Sequence, residues 1–245
     1  MPRANRYILP DRTYHITHRC HNRSSLFRYE KDRDDYRNRI WKTATNSDVR
    51  FLSYAITCNH VHLLAKAGAP DSLSTLMRKL QGEFAHHFNS RYARSGAFWS
   101  GRYHCTMIED GKHLLNCLRY IDLNMVRAGV VTHPREWRWC GYHDIVGARR
   151  RYRIVDIDCL LDLAGGGGQE AFRESYDQAI SEATEREGLT RDAKWTESIA
   201  VGSQAFIRSI EAETRGRLQL LSEESPSGGW VLREPGTSYN LSEAP

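Results

Sequence analysis

Apolar positions along the chain change period in a regular order. Tyr14-His15-Ile16-Thr17-His18-Arg19-Cys20 alternates and is rich in β-formers, which predicts a first strand. Over residues 31–46, Tyr36, Ile40 and Ala44 fall four apart among charged side chains, the pattern of a surface helix. Arg50 to Thr57, with Phe51, Tyr54 and Ile56, and His60 to Ala65 read as two strands of a hairpin turning at Cys58-Asn59. After Pro70, with Asp71 or Ser72 as N-cap, the residues Leu73, Leu76, Met77, Leu80, Phe84 and Phe88 recur at three- and four-residue spacing. They predict a second, amphipathic helix. Gly96 to Gly101 is a loop, and Arg102 to Ile108 a fourth strand ending at Glu109-Asp110-Gly111. From Lys112 to Arg127 a third helix carries the apolar seam Leu114, Leu118, Ile121 and Met125 and stops at Ala128-Gly129.

The first six of these elements follow the ferredoxin-like split β-α-β order, so the expected class is α+β, an antiparallel-rich sheet with helices on one face. The third helix is then free to lie against that sheet. Residues 1–155 form the expected basic domain. Residues 156–221 form a helical, acidic extension in which Gly165–Gly168 is a linker or sharp turn, with Phe172, Tyr176 and Ile180 on one helix (169–187) and Phe206, Ile207 and Ile210 on another (203–214). The polar, Pro/Gly/Ser-rich stretch 222–245 is expected to be a disordered tail.

Charge sharpens this division. The net +5 conceals a split: residues 1–153 hold 27 Lys and Arg against 13 Asp and Glu, net +14, while residues 154–245 hold 8 against 17, net −9. A basic body with aromatics among its arginines suits a polyanion such as nucleic acid, although solvated surface charge gives the same count. Candidate DNA contacts are Arg78 and Lys79 off the apolar stripe of their helix, Arg102, Arg127, Trp137, and the run Arg149, Arg150, Arg151. The six cysteines form no C-x-x-C pair, the start lacks an apolar h-region, and no apolar run reaches membrane length. The expectation is a cytosolic protein with reduced thiols and no membrane partner.

Two places carry candidate chemistry. In Cys58-Asn59-His60-Val61-His62-Leu63-Leu64, strand alternation puts His60 and His62 on one face, where two imidazoles can share a metal ion or stand simply as half-exposed histidines. On the third helix, Asn116, Tyr120, Asn124 and Arg127 line a polar face, so a phenol and an amide one turn apart can enter one site; a tyrosine packed beside the sheet is the alternative.

Together with Phe98-Trp99-Ser100-Gly101-Arg102-Tyr103 and Arg119-Tyr120-Ile121-Asp122-Leu123-Asn124-Met125-Val126-Arg127-Ala128-Gly129-Val130, the histidine segment resembles the HUH single-tyrosine transposases. Within them it is most similar to the REP-associated tyrosine transposases, over about residues 8 to 145. Cys58 and Met125 stand where proline is usual, and neither change removes a reacting group. The resemblance implies that Tyr120 is the nucleophile and that His60, His62 and Asn124 ligate Mg²⁺ or Mn²⁺. It also implies cleavage and rejoining of single-stranded DNA at hairpin repeats through a 5′-phosphotyrosine, by a monomer or homodimer in a bacterial cytoplasm, near the nucleoid. A domesticated hairpin-binding protein without turnover, or a structural metal or RNA-binding module of the same shape, would use the basic face but has no role for Tyr120.

Overall fold

The computed structural model describes residues 7–185, 189–214 and 220–234. The elements in chain order are β1 (Arg12–Arg19), α1 (Glu30–Ala44), β2 (Arg50–Ile56), β3 (His60–Ala67), α2 (Pro70–Arg91), β4 (His104–Ile108), α3 (Lys112–Asp122) and α4 (Asn124–Arg127). They continue with α5 (Tyr142–Ile145), α6 (Ile157–Ala164), α7 (Gln169–Glu185), α8 (Lys194–Glu197), β5 (Ala200–Gly202), α9 (Gln204–Thr214), β6 (Leu221–Glu224) and β7 (Trp230–Arg233).

The sheet runs β2-β3-β1-β4-β5-β7-β6. Its first four strands are antiparallel neighbours throughout, the strand order of the expected split β-α-β core. Register in this core follows from alternation, since a one-residue slip would turn the buried face of β1 or β3 to the wrong side. Ile16 faces Leu63 and His18 faces Val61, while Thr17 faces His62 on the opposite surface. The Ile16 face is covered by α1 and α2 through a ring cluster of Phe27, Tyr36, Phe84, Phe98 and Trp99. Trp99 closes it by stacking on His18, with ring centroids 4.4 Å apart, while its indole N–H donates to the Gln81 carbonyl at 3.1 Å. The Phe98-Trp99 segment therefore serves packing.

The third predicted helix lies across the other surface, so helices cover both faces. It is also shorter than predicted. At Leu123 ψ opens to 3°, which ends α3 and starts α4, although the Leu123 N–H still reaches Arg119 and the Arg127 N–H reaches Leu123. The fourth strand starts at His104 and leaves Arg102 in the preceding loop.

The region after residue 155 departs from the reading further. Helices α6, α7 and α9 are present, and positions 186–187 of the predicted helix lie outside the described residues. The extension is not helical throughout, because Ala200 and Val201 of β5 pair in parallel with Met107 and Ile108. The stretch from residue 222, expected to lack structure, contributes most of the β6–β7 hairpin, whose β7 pairs antiparallel with β5. The physical reason is the short run Trp230-Val231-Leu232 inside a polar composition: Val231 and Leu232 are fully buried. Its turn uses Gly228 and Gly229 at φ +86° and +82°, and a Cβ on Gly229 would stand 2.6 Å from the His113 ring. Residues 235–245 of the expected tail lie outside the described residues.

Candidate active site

The second surface of the sheet gathers the chemistry. β3 presents His60 and His62 with ring centroids 4.8 Å apart, β1 presents His15, and the α3–α4 junction brings Tyr120 and Asn124 above them. The Asn124 amide nitrogen is 3.1 Å from His62 Nε2, and the Tyr120 ring stands edge-on to His62 and His15 at 6.2 and 6.1 Å. The four groups singled out for metal binding and nucleophilic attack, His60, His62, Tyr120 and Asn124, thus meet on one face.

The hydrogen bonds assign the ring protons. His15 Nδ1 lies 2.7 Å from the Trp195 carbonyl, which can only accept, so Nδ1 is the donor. Burial pushes His15 down to about 3, so at neutral pH the ring has one proton and Nε2 is an acceptor. His62 Nδ1, 2.8 Å away, must then donate to it, which leaves the lone pair of His62 on Nε2, the atom facing Asn124. His60 is set the same way. The Thr57 hydroxyl donates to the His60 carbonyl at 2.8 Å, so its oxygen accepts, along with Asn59 Oδ1, from His60 Nδ1 at 3.0 and 2.6 Å. Burial, with Arg19 and Arg127 next, holds His60 down to about 3, and burial holds His62 well below the usual imidazole value. Both histidines therefore present a neutral imidazole with Nε2 unprotonated, the form that binds a metal ion.

Tyr120 is buried, and desolvation raises its phenol above the ordinary value, against the lowering pull of Arg127 and Arg191. The Arg127 guanidinium stacks 4.1 Å from the ring centroid and donates to the Tyr120 carbonyl at 3.1 Å. Trp195 flanks the ring at 6.1 Å. Positive charge thus sits beside the phenol.

Residues 9–124 match the model of the family described as "Transposase IS200 like". The match spans just under half of the chain, and over that stretch the chain is similar to the IS200-like transposases. No curated protein matches the chain. Among solved structures, a REP-associated tyrosine transposase determined with a REP hairpin bound is 22% identical. The match covers 69% of this chain and 98% of that one, with a TM-score of 0.52, and establishes the common fold. A protein of Deinococcus radiodurans R1 assigned as a transposase is 18% identical over 43% of this chain and 84% of its own, with a TM-score of 0.34.

Of the expected DNA contacts, Arg78 and Arg102 come together. Both are exposed and line a cleft of about 380 Å³ with Ser74, Thr75 and Tyr103. Lys79 instead faces a groove between α1 and α2 that also holds Asp35, Asp48, Asp71 and Glu83. Arg127 belongs to the tyrosine's own surroundings. Trp137 is buried, donates its indole N–H to the Ile56 carbonyl at 3.0 Å and packs on Trp139 and Arg33, so its ring is built into the core and is not a base-stacking platform. Arg149 is held in place too, bonded to the fully buried Asp144 at 2.8 Å and to the Tyr54 hydroxyl. Arg150 and Arg151 remain exposed.

His15, Arg191 and the Trp195 carbonyl escaped the sequence reading. His15 had a signal: once β1 is placed beside β3, alternation puts His15 and Thr17 on the face of His62. Nothing local marks Trp195, whose role is played by its backbone.

Proposed function

We propose that the chain is a metal-dependent DNA transposase that cleaves and rejoins single-stranded DNA beside hairpin repeats, with Tyr120 as nucleophile. The observation that carries this reading is the convergence of His60, His62, Asn124 and Tyr120 on one face within a domain of the matching family.

The donor set fits a hard divalent ion. Among the described residues no group of three or more His, Cys, Asp or Glu side chains is arranged as a metal site. His60 Nε2, His62 Nε2 and, after a half-turn of the amide, Asn124 Oδ1 would hold such an ion, a nitrogen and oxygen donor set that suits Mg²⁺ or Mn²⁺ better than a closed thiolate site would. Bound there, such an ion supplies Lewis-acid polarisation of the scissile phosphate.

The chain's own residues account for the rest. Tyr120 Oη attacks phosphorus, the P–O3′ bond breaks, and the leaving 3′ oxygen takes up a proton while the phenol's proton passes to solvent. Arg127 and Arg191 offset the cost of the phenolate that burial imposes. The phosphotyrosine keeps the energy of the broken bond, so a 3′-hydroxyl can reverse the step without a nucleotide cofactor. The burial of Tyr120, to which a scissile phosphate must turn freely, supports a single-stranded substrate. Exposed Arg78, Arg102, Arg150 and Arg151 are the cations for the hairpin backbone. That a relative of the same fold was solved with a REP hairpin supports this substrate class.

Excess chelator should abolish cleavage of a single-stranded hairpin substrate, and added Mg²⁺ or Mn²⁺ should restore it. Undiminished cleavage in chelator would refute the metal role.

A further inference from the structure

The buried chain of acceptors and donors beneath the histidine pair has no part in the reaction as described above. It starts at the Trp195 carbonyl, which receives His15 Nδ1–H at 2.7 Å and lies 3.2 Å from the Thr106 hydroxyl oxygen. It passes through His15 Nε2 to His62 Nδ1 at 2.8 Å, the two rings lying nearly parallel with centroids 5.0 Å apart. His15 is fully buried and His62 almost so, so water does not compete for these bonds. The carbonyl at the head of the chain is itself held. Thr106 and His104 of β4 both bond the Ser198 carbonyl three residues on, at 2.7 and 3.0 Å, and Lys194 is tied to Ser227 and Gly228 of the β6–β7 turn.

An imidazole in water favours neither nitrogen strongly, and a histidine offers Nε2 to a ligand only while its proton is kept on Nδ1. In metal sites that task falls to a carboxylate, carbonyl or water behind the ligand. Here the group behind His62 is another histidine. Such a histidine is useful only if its own tautomer is fixed, and the Trp195 carbonyl fixes it.

We propose that His15 is a positioning residue that locks His62 in the Nδ1–H form, and that the segment around Trp195 is thereby a working part of the transposase centre. The inference rests on the metal-site reading of His60 and His62. Its consequence is that the C-terminal extension, which lies outside the 9–124 family match, sets the affinity of the site for its ion through one backbone oxygen.

Two full-length variants separate this role from packing. His15→Leu fills the space and removes the acceptor. His15→Gln places an amide oxygen at roughly the reach of Nε2 and keeps an acceptor for His62 Nδ1–H. Mn²⁺ binding, read from the paramagnetic resonance of free Mn²⁺, should weaken on the order of 10- to 100-fold in the Leu variant and recover most of the loss in the Gln variant. Long-range ¹H–¹⁵N spectra of the metal-free protein should show the His62 proton on Nδ1 in the wild type and the Gln variant, and redistributed to Nε2 in the Leu variant. Wild-type Mn²⁺ affinity in His15→Leu, or equal losses in both variants, would overturn the proposal. So would a His62 proton on Nε2 in the wild type, even where a variant fails to fold. A wild type that binds Mn²⁺ through His60 and His62 yet never cleaves hairpin DNA would overturn the transposase reading and leave the role of His15 standing.

Discussion

The strands β1 to β4 span eight, seven, eight and five residues, whereas β5 to β7 span three, four and four, although all seven share one sheet. The long strands each display enough alternation to define a buried face, and their pairing is specified by that pattern. The short ones have no such pattern and are placed by contacts from elsewhere. Glu109 receives the Ser203 hydroxyl at 2.8 Å, Lys194 grips the β6–β7 turn, and the His113 ring lies against Gly229. A composition rich in Ser, Gly, Glu and Pro is therefore compatible with a strand pair once a sheet edge is available to complete it.

The functional consequence is an unequal division of labour. In the proposed reading the core carries the reacting groups, and α8, just before the edge strand β5, carries the carbonyl that acts on one of them through His15.

This comparison yields predictions, two in descending order of expected effect and a third that depends on pH. Removing residues 222–245 deletes most of the edge hairpin and takes Val231 and Leu232, both fully buried, out of the protein. At about 1.5–3 kcal/mol for each buried aliphatic side chain, the loss should be about 3–6 kcal/mol in urea unfolding. An unchanged midpoint would show that the edge is not integral to the fold. Next, Asn124→Ala removes an amide from the core's site without touching the exposed arginines. Mn²⁺ affinity and cleavage should fall roughly tenfold while hairpin binding stays close to wild type. Weaker binding with normal cleavage would move Asn124 from the ion to the DNA.

A pH-dependent effect concerns the joint between the core and α7. Asp122 on α3 is fastened by the Tyr176 hydroxyl of α7 at 2.7 Å and by Ser53 of β2 at 3.4 Å, and burial raises its carboxyl to about 7. A folded-state value above the unfolded one near 3.9 means that the folded protein holds the proton more tightly. The contribution is complete below about pH 4 and lost as pH rises through 7. Asp122→Asn should remove this dependence, so that wild-type stability falls relative to the variant between pH 5 and pH 8. Parallel pH profiles for the two proteins would contradict the assignment.

The order and class of the core, the shared strand face of His60 and His62 and the shared helix face of Tyr120 and Asn124 were legible because alternation and helical spacing act over neighbours in sequence, while the roles given to these four residues came from the family resemblance. Leu123 was not, since a small ψ change that divides α3 from α4 leaves the apolar seam intact. Trp137 misled because an indole among arginines looks the same whether its N–H meets DNA or the Ile56 carbonyl. His15 acquires its partner only when β1 lies beside β3, and the Trp195 carbonyl has no side-chain signature at all.

The central claim is that the buried phenol of Tyr120 becomes covalently joined to DNA. Tyr120→Phe keeps the ring beneath Arg127 and deletes the nucleophile, so stability and hairpin binding should change little. With Mn²⁺ present and a single-stranded hairpin labelled 3′ to the cut, the wild type should yield a denaturant-resistant protein–DNA adduct and the variant none. An adduct formed by the Phe variant, or none formed by the wild type on cognate hairpins, would contradict the account.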